Sequence, residues 1–263
     1  GSTQGSMSIM GFEERKRRYR PLLPGIKFIE FNNEDDINKI NKNTAAVILE
    51  TIQGGAGFIT PSGNYLRKVK NKCEKFSVLL ILDEIQPGMG RTGKLFAFEH
   101  YNIIPDILVY GKGLGGGFPI GALSSSKKIM SSFKENPILG HITTFGGHPV
   151  IAAAAYANLK ETLDSKIMSK VCEKEKLFKD KLKHSLITEI RGKGLMLALI
   201  LKDKNTVNQL IKKCLEKGLI LFYLLFESKA VRITPPLTIK KSEIKKGCDI
   251  IIETLNQINN SVH

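Results

Sequence analysis

Two short, wholly apolar runs constrain this chain more than any other feature. Val78-Leu79-Leu80-Ile81-Leu82 ends abruptly in Asp83-Glu84-Ile85-Gln86, and Ile107-Leu108-Val109-Tyr110 ends in Gly111-Lys112-Gly113-Leu114-Gly115-Gly116-Gly117. Uninterrupted apolar runs this short suit strands buried on both faces of a parallel sheet. An α/β pattern then sets Asp83 and Lys112 at one carboxyl-end rim, where open α/β sheets bind ligands. A lysine among glycines is either a solvated loop cation or a nucleophilic amine on a turn that a flat ligand can approach closely. A P-loop is disfavoured, because no G-x-x-x-x-G-K-[ST] is present. A strand-end aspartate is either a cap for the next turn or a counter-charge for something bound at the rim.

The rest of the chain supports the α/β reading. Ala45 to Glu50 predicts another buried strand, and Tyr65, Leu66, Val69, Cys73 and Phe76 recur at helical spacing. Together with the Val78 run they make a strand–helix–strand crossover, right-handed by the general rule. Gly25 to Phe31 alternates with period two, which predicts a half-exposed strand, followed by a short acidic helix through Ile40 with Asn33 as N-cap. Gly121 to Ser124 predicts a returning strand, and a long helix is expected from the His148-Pro149 region to about Lys170. Beyond it, Ile187 to Arg191 and Leu195 to Leu201 flank Gly192-Lys193-Gly194 and read as a hairpin. A helix over 206–217, one or two buried strands over 219–226 and a strand over 230–233 follow. The last helix starts at Ser242 and aligns Ile244, Cys248, Ile251, Leu255 and Ile258 on one face. The expected division is a large domain over 1–155 and a smaller α+β domain over 156–263.

Composition narrows the function classes. A chain of 263 residues can bury a large core. No apolar run approaches the ~20 residues of a membrane helix, and no signal peptide is evident, so the cytoplasm is the expected location. The four cysteines form no C-x-x-C and the five histidines no ligand cluster; buried reduced thiols and no metal are expected. A net charge of +15 and the run Arg15-Lys16-Arg17-Arg18-Tyr19-Arg20 raise the question of nucleic acid. Most of the excess, however, is lysine spread through helices, so no nucleic-acid groove is expected; anionic substrates and phosphate cofactors are favoured instead.

The stretch from Ile81-Leu82-Asp83-Glu84-Ile85-Gln86-Pro87-Gly88-Met89-Gly90-Arg91-Thr92-Gly93 to Ala97, with Lys112-Gly113-Leu114-Gly115-Gly116-Gly117-Phe118-Pro119-Ile120-Gly121-Ala122, resembles the signature of class III pyridoxal-phosphate aminotransferases. The nearest branch is the acetylornithine/ornithine aminotransferases, and the similarity runs from Gly1 to about Ile258. It implies an α/β fold of type I, with a mostly parallel sheet flanked by helices, incomplete on its N-terminal side, and a smaller α+β C-terminal domain. It implies that Lys112 holds pyridoxal phosphate as a Schiff base, that Asp83 faces the pyridine nitrogen, and that Gln86 reaches the ring hydroxyl. Thr144 matches a threonine that reaches the partner's cofactor phosphate across a homodimer; read alone, it is a turn hydroxyl. Arg232, in Val231-Arg232-Ile233-Thr234-Pro235-Pro236-Leu237, matches the arginine that forks onto the substrate α-carboxylate, a bidentate task lysine does poorly. Read alone, it is a strand-end surface arginine.

These residue types suit that chemistry. Only a primary amine forms a reversible imine with an aldehyde, and burial beside a cofactor moves a lysine toward the neutral form that attacks. A carboxylate ~4 Å from a protonated ring nitrogen, at an effective dielectric of ~20, is worth on the order of 4 kcal/mol before desolvation. The implied function is transfer of an amino group from an ornithine-type donor to 2-oxoglutarate by a ping-pong mechanism. The alternatives are another class III enzyme, an aminomutase or decarboxylase, or an inactive or partner-dependent fragment. Two positions depart from the family. Gly55, in Glu50-Thr51-Ile52-Gln53-Gly54-Gly55-Ala56-Gly57, stands where a glutamate commonly pairs with the arginine, and Ser2 stands where acetylornithine enzymes commonly have arginine. The opening Gly1-Ser2-Thr3-Gln4-Gly5-Ser6 resembles the family's interior. The resemblance therefore implies an upstream part carrying a phosphate-binding glycine turn and a ring-stacking aromatic.

Overall fold

A computed structural model describes residues 3–138 and 141–260. Helices α1 (Gln4–Ile9) and α2 (Glu13–Lys16) precede β1 (Ala46–Glu50), α3 (Tyr65–Phe76), β2 (Leu79–Asp83), β3 (Ile107–Gly111) and β4 (Gly121–Ser125). Helices α4 (Lys127–Met130), α5 (Pro149–Asp164) and α6 (Val171–Lys181) follow. The last part holds β5 (Ile187–Lys193), β6 (Met196–Leu201), α7 (Lys204–Glu216), β7 (Phe222–Tyr223), β8 (Ala230–Ile233) and α8 (Lys241–Asn260). No helix among the described residues is long and apolar enough to cross a membrane.

The first sheet has the order β1-β2-β3-β4, with β1, β2 and β3 parallel and β4 antiparallel to β3. One face is sealed by α3, whose Leu66, Val69 and Cys73 pack with Ile37, Ile40, Leu80 and Leu82. The other face is covered less completely. In β2 only Leu80 and Leu82 are buried, with Leu79 and Ile81 half-covered, and Ile48 and Leu123 are exposed. Burial on both faces, expected from the apolar runs, is therefore not what the strands show, because α3 and its neighbours fill one side only.

The second sheet has the order β5-β6-β8-β7 and is antiparallel throughout. All six residues of β6 are buried. Its Leu197, Leu199 and Leu201 face α6, α7 and α8, while Met196, Ala198 and Ile200 pack on Ile52, Phe58 and Ala97 of the first half. Period-two alternation thus lets one strand serve two cores, and the second of them joins the halves.

Several expectations need correction. The 25–31 segment is no strand: the Glu30 N–H donates to Asp36 Oδ2 at 2.7 Å instead of to a neighbouring strand. The long helix stops at Asp164, where Ser165 turns extended, and α6 begins separately. Of residues 219–226 only Phe222 and Tyr223 form a strand; it pairs with β8 alone, so it is an exposed edge. Cys73, Cys214 and Cys248 are buried thiols, Cys73 pushed up to about 11 and Cys248 to about 12 by burial, but Cys172 is exposed.

The β5–β6 turn locks the two halves together. Leu195 N–H donates to the Arg91 carbonyl at 2.9 Å, and Gly194, at φ +63°, leaves room for that carbonyl. A Cβ at Gly194 would lie 2.5 Å from Arg91 O and 2.7 Å from Thr92 Cα. Gly194→Ala is therefore expected to cost roughly 2–3 kcal/mol from backbone strain and a clash that no rotamer relieves. A urea midpoint indistinguishable from wild type would show that the turn relaxes freely.

Candidate active site

Three neighbouring strands of the first sheet end in ionisable residues. Glu50 closes β1, Asp83 closes β2 in register with it, and Lys112 follows the last residue of β3. Lys112 opens a single 3-10 turn through Gly115 and is exposed, with φ +42°. That left-handed backbone is costly for any residue with a Cβ. Asn158 of α5 secures the turn, donating to the carbonyls of Gly113 (2.7 Å) and Leu114 (3.4 Å). The Lys112 amine has no hydrogen bond or ion pair among the described residues.

Asp83 is half-buried, and its Oδ1 accepts the Ile85 N–H at 2.9 Å. One carboxylate oxygen therefore caps the turn, and Oδ2 is left without a hydrogen bond among the described residues. Next to it, Glu84 is fully buried. It accepts from Thr51 Oγ1 (2.6 Å), Phe98 N–H (2.8 Å) and Ala97 N–H (2.9 Å). Burial raises its pKa against the pull of those donors. Glu50 is also raised, first by burial and then by the charge of Asp83, while its Gly54 hydrogen bond and Lys112 act in the opposite sense.

A cavity of about 260 Å³ opens beside this rim, lined among others by Gln86, Met89, Arg91, Lys112, Gly113 and Arg232. Lys112 and Gln86 come from the first sheet's loops and Arg232 from β8, so the cavity lies where the halves meet. The Arg232 guanidinium sits 5.1 Å from the Phe222 ring centroid and has no ion pair or hydrogen bond among the described residues. Asp83 stands at the rim but does not line the cavity. Thr144 lies on an exposed turn outside it. Ser2 lies outside the described residues.

Sequence reasoning missed four residues. Arg91 is largely withdrawn from water, which lowers its pKa, and its guanidinium donates to the carbonyls of Leu195 and Pro235. Glu84, Glu50 and Asn158 were the others. Glu84 and Arg91 stand inside the motif around Asp83, and their place within it was the available signal. Nothing local marked Asn158. The basic run also resolves into particular contacts. Lys16 is buried, donating to Met10 O at 2.7 Å under the Phe28 ring, and Arg20 pairs with Glu13. Arg15 lies 5.4 Å from the Phe226 ring centroid.

The chain matches the family Aminotransferase class-III over residues 1–255. It is 39% identical to an acetylornithine aminotransferase of Clostridium acetobutylicum over 262 residues, covering 97% of this chain and 66% of that protein. The ornithine aminotransferase from Toxoplasma gondii superposes with TM-score 0.91 at 30% identity, covering 99% of this chain and 63% of that one. A second structure of that enzyme, with TM-score 0.91, 30% identity and coverage of 99% and 62%, shows partial occupancy of PLP at its active site. The chain thus spans just under two thirds of the length of these relatives.

Class III aminotransferases depend on pyridoxal phosphate, and the residues present suit its ring end. A free amine, an amide and a carboxylate oxygen without a hydrogen bond stand at one rim, and the cavity wall is part apolar.

Proposed function

The chain belongs to the class III aminotransferases, and from that premise we propose that it passes an amino group from an ornithine-type donor, acetylornithine or ornithine, to 2-oxoglutarate in two ping-pong halves. Pyridoxal phosphate, when bound, would supply an electron sink for the carbon that bears the reacting amine. The chain's own residues do the rest. Lys112 would hold the cofactor through its amine and would carry the proton of the carbon that bears the reacting substrate amine. Asp83 presents a carboxylate to the ring nitrogen, Gln86 an amide to the ring hydroxyl, and Arg232 a fork to the substrate carboxylate. The observation that carries this reading is the convergence of Lys112, Gln86 and Arg232 on one cavity, with amine and guanidinium both free of ion pairs among the described residues. A shift of the absorbance of pyridoxal phosphate to longer wavelength on adding the purified chain, seen with wild type and lost in Lys112→Ala, tests it.

Donor choice within this reading rests on Gly55. A Cβ there would lie 2.6 and 2.7 Å from Phe226 ring atoms, so an aromatic wall fills the space a glutamate side chain would enter. Phe12 stacks on the same ring at 4.7 Å between centroids. A homodimer is part of the proposal, with Thr144 directed to the second copy's cofactor phosphate. It is supported by α5, which holds the lysine turn yet leaves Val150, Tyr156 and Leu163 at 57%, 68% and 51% exposure. That apolar face also favours a second reading, in which activity needs another chain or segment to complete the site.

Asp83→Ala is expected to keep the fold, since it removes one hydrogen bond, and to lower turnover by roughly 10²-fold or more. Wild-type rates in this variant would mean that another group keeps the ring nitrogen protonated.

A further inference from the structure

We propose that Glu50 and Gly54 are positioning residues that hold the Gln86 amide in place for the ring of a bound pyridoxal phosphate. The inference rests on the function proposed above. Gln86 lines the cavity but has no hydrogen bond among the described residues, so its place is set by what it packs on. It packs on Gly54. A Cβ built there would lie 2.2 Å from Gln86 Oε1, 3.1 Å from Gln86 Cδ and 3.0 Å from Glu50 Oε2.

Backbone freedom does not account for this glycine, because Gly54 is not among the residues with positive φ. Space does. The buried Cα of Gly54 is the surface on which the amide lies, and any side chain would displace it. Glu50 keeps that surface in position. Its Oε2 accepts the Gly54 N–H at 2.8 Å, closing the turn after β1 onto the strand end beside Asp83. The burial that raises its pKa marks a carboxyl set into the protein and not a solvated surface charge. The chain of support runs from the end of β1, through the Gly54 backbone, to the Gln86 amide. A positioning group of this kind acts through geometry, so its loss appears in ligand affinity without the group touching the ligand.

The test is a set of variants read two ways. Pyridoxal phosphate affinity is measured by visible absorbance and fluorescence quenching, and thermal unfolding is measured without ligand. Gly54→Ala and Gln86→Ala are each expected to weaken binding by about tenfold, the scale of one hydrogen bond. The double variant should bind no more weakly than the weaker single. Glu50→Ala should follow them, while Glu50→Gln, which keeps an acceptor for the Gly54 N–H, should retain most of the affinity. Without ligand, Gly54→Ala should lower the melting temperature, and Gln86→Ala in the same chain should restore part of it. Multiplying losses in the double variant, or wild-type binding by Gly54→Ala, would overturn the proposal. If the wild-type chain takes up no pyridoxal phosphate, the reading in which this chain acts alone fails, and the melting coupling between positions 54 and 86 still decides the contact. If Gly54→Ala does not fold alone, a folded double variant supports the contact and an unfolded one refutes it.

Discussion

Lys112→Ala is expected to abolish amino-group transfer, lowering turnover by at least about 10⁴-fold. Two functions are lost together, covalent attachment of the cofactor and proton transfer at the carbon that bears the substrate amine, and general acid–base catalysis alone contributes about 10²–10⁴-fold. Pyridoxal phosphate should still bind non-covalently, because Gln86 and Asp83 remain. A companion substitution separates chemistry from folding. At φ +42° the backbone of residue 112 suits glycine, so Lys112→Gly should be more stable than Lys112→Ala by about 1 kcal/mol while equally inactive. A lysine kept in that conformation within a run of glycines is accounted for by a need for its amine. Coupled assay of product amino acid, with urea unfolding of both variants, provides the check. Turnover within about tenfold of wild type in Lys112→Ala would end the assignment of this residue as nucleophile.

Glu84→Ala is expected to be the most destabilising of the single changes considered, by about 3–5 kcal/mol. Its carboxylate is the shared acceptor of Thr51 Oγ1 and the Ala97 and Phe98 N–H groups, and all three lose their partner at once. Thr51 follows β1 and Ala97 packs against β6, so the loss loosens both the rim and the joint between the halves. Glu84→Gln keeps two acceptor sites but turns an amide NH₂ toward an N–H, and should cost less than alanine. The pH dependence has a definite sign. The folded carboxyl titrates above its ordinary 4.5 because of burial, so its stabilising contribution is fullest below the unfolded value and falls as pH rises through the folded one. The stability margin of wild type over Glu84→Ala should therefore widen as the solution is acidified toward pH 4.5. Equilibrium unfolding at several pH values measures this. A margin under about 1 kcal/mol at every pH would mean that water replaces the carboxylate without penalty.

What the sequence determined by itself was local, and the physics behind it is local. Apolar runs cut off by Asp83 and by the Lys112 glycine stretch marked strand ends, because a parallel strand exposes its polar residues where it leaves the sheet. Helix α3 and the β5–β6 hairpin were legible because 3.6- and 2-residue periods are properties of neighbouring residues, and glycine turns interrupt them. The type I fold and the family were carried by the motif around Asp83 and Lys112. The tertiary structure decided everything that depends on residues far apart in the chain. Whether β2 is buried on one face or both depends on which helices arrive, and a hydrophobic run is silent about that. The Phe222–Tyr223 strand is short because only these two residues pair with β8, although the whole run is apolar. Arg91 finds its carbonyl acceptors 104 and 144 residues downstream, and Gly54 meets the Gln86 amide from another strand's loop. Such contacts satisfy buried polar groups or leave room for them, and only the folded chain brings the partners within hydrogen-bonding distance.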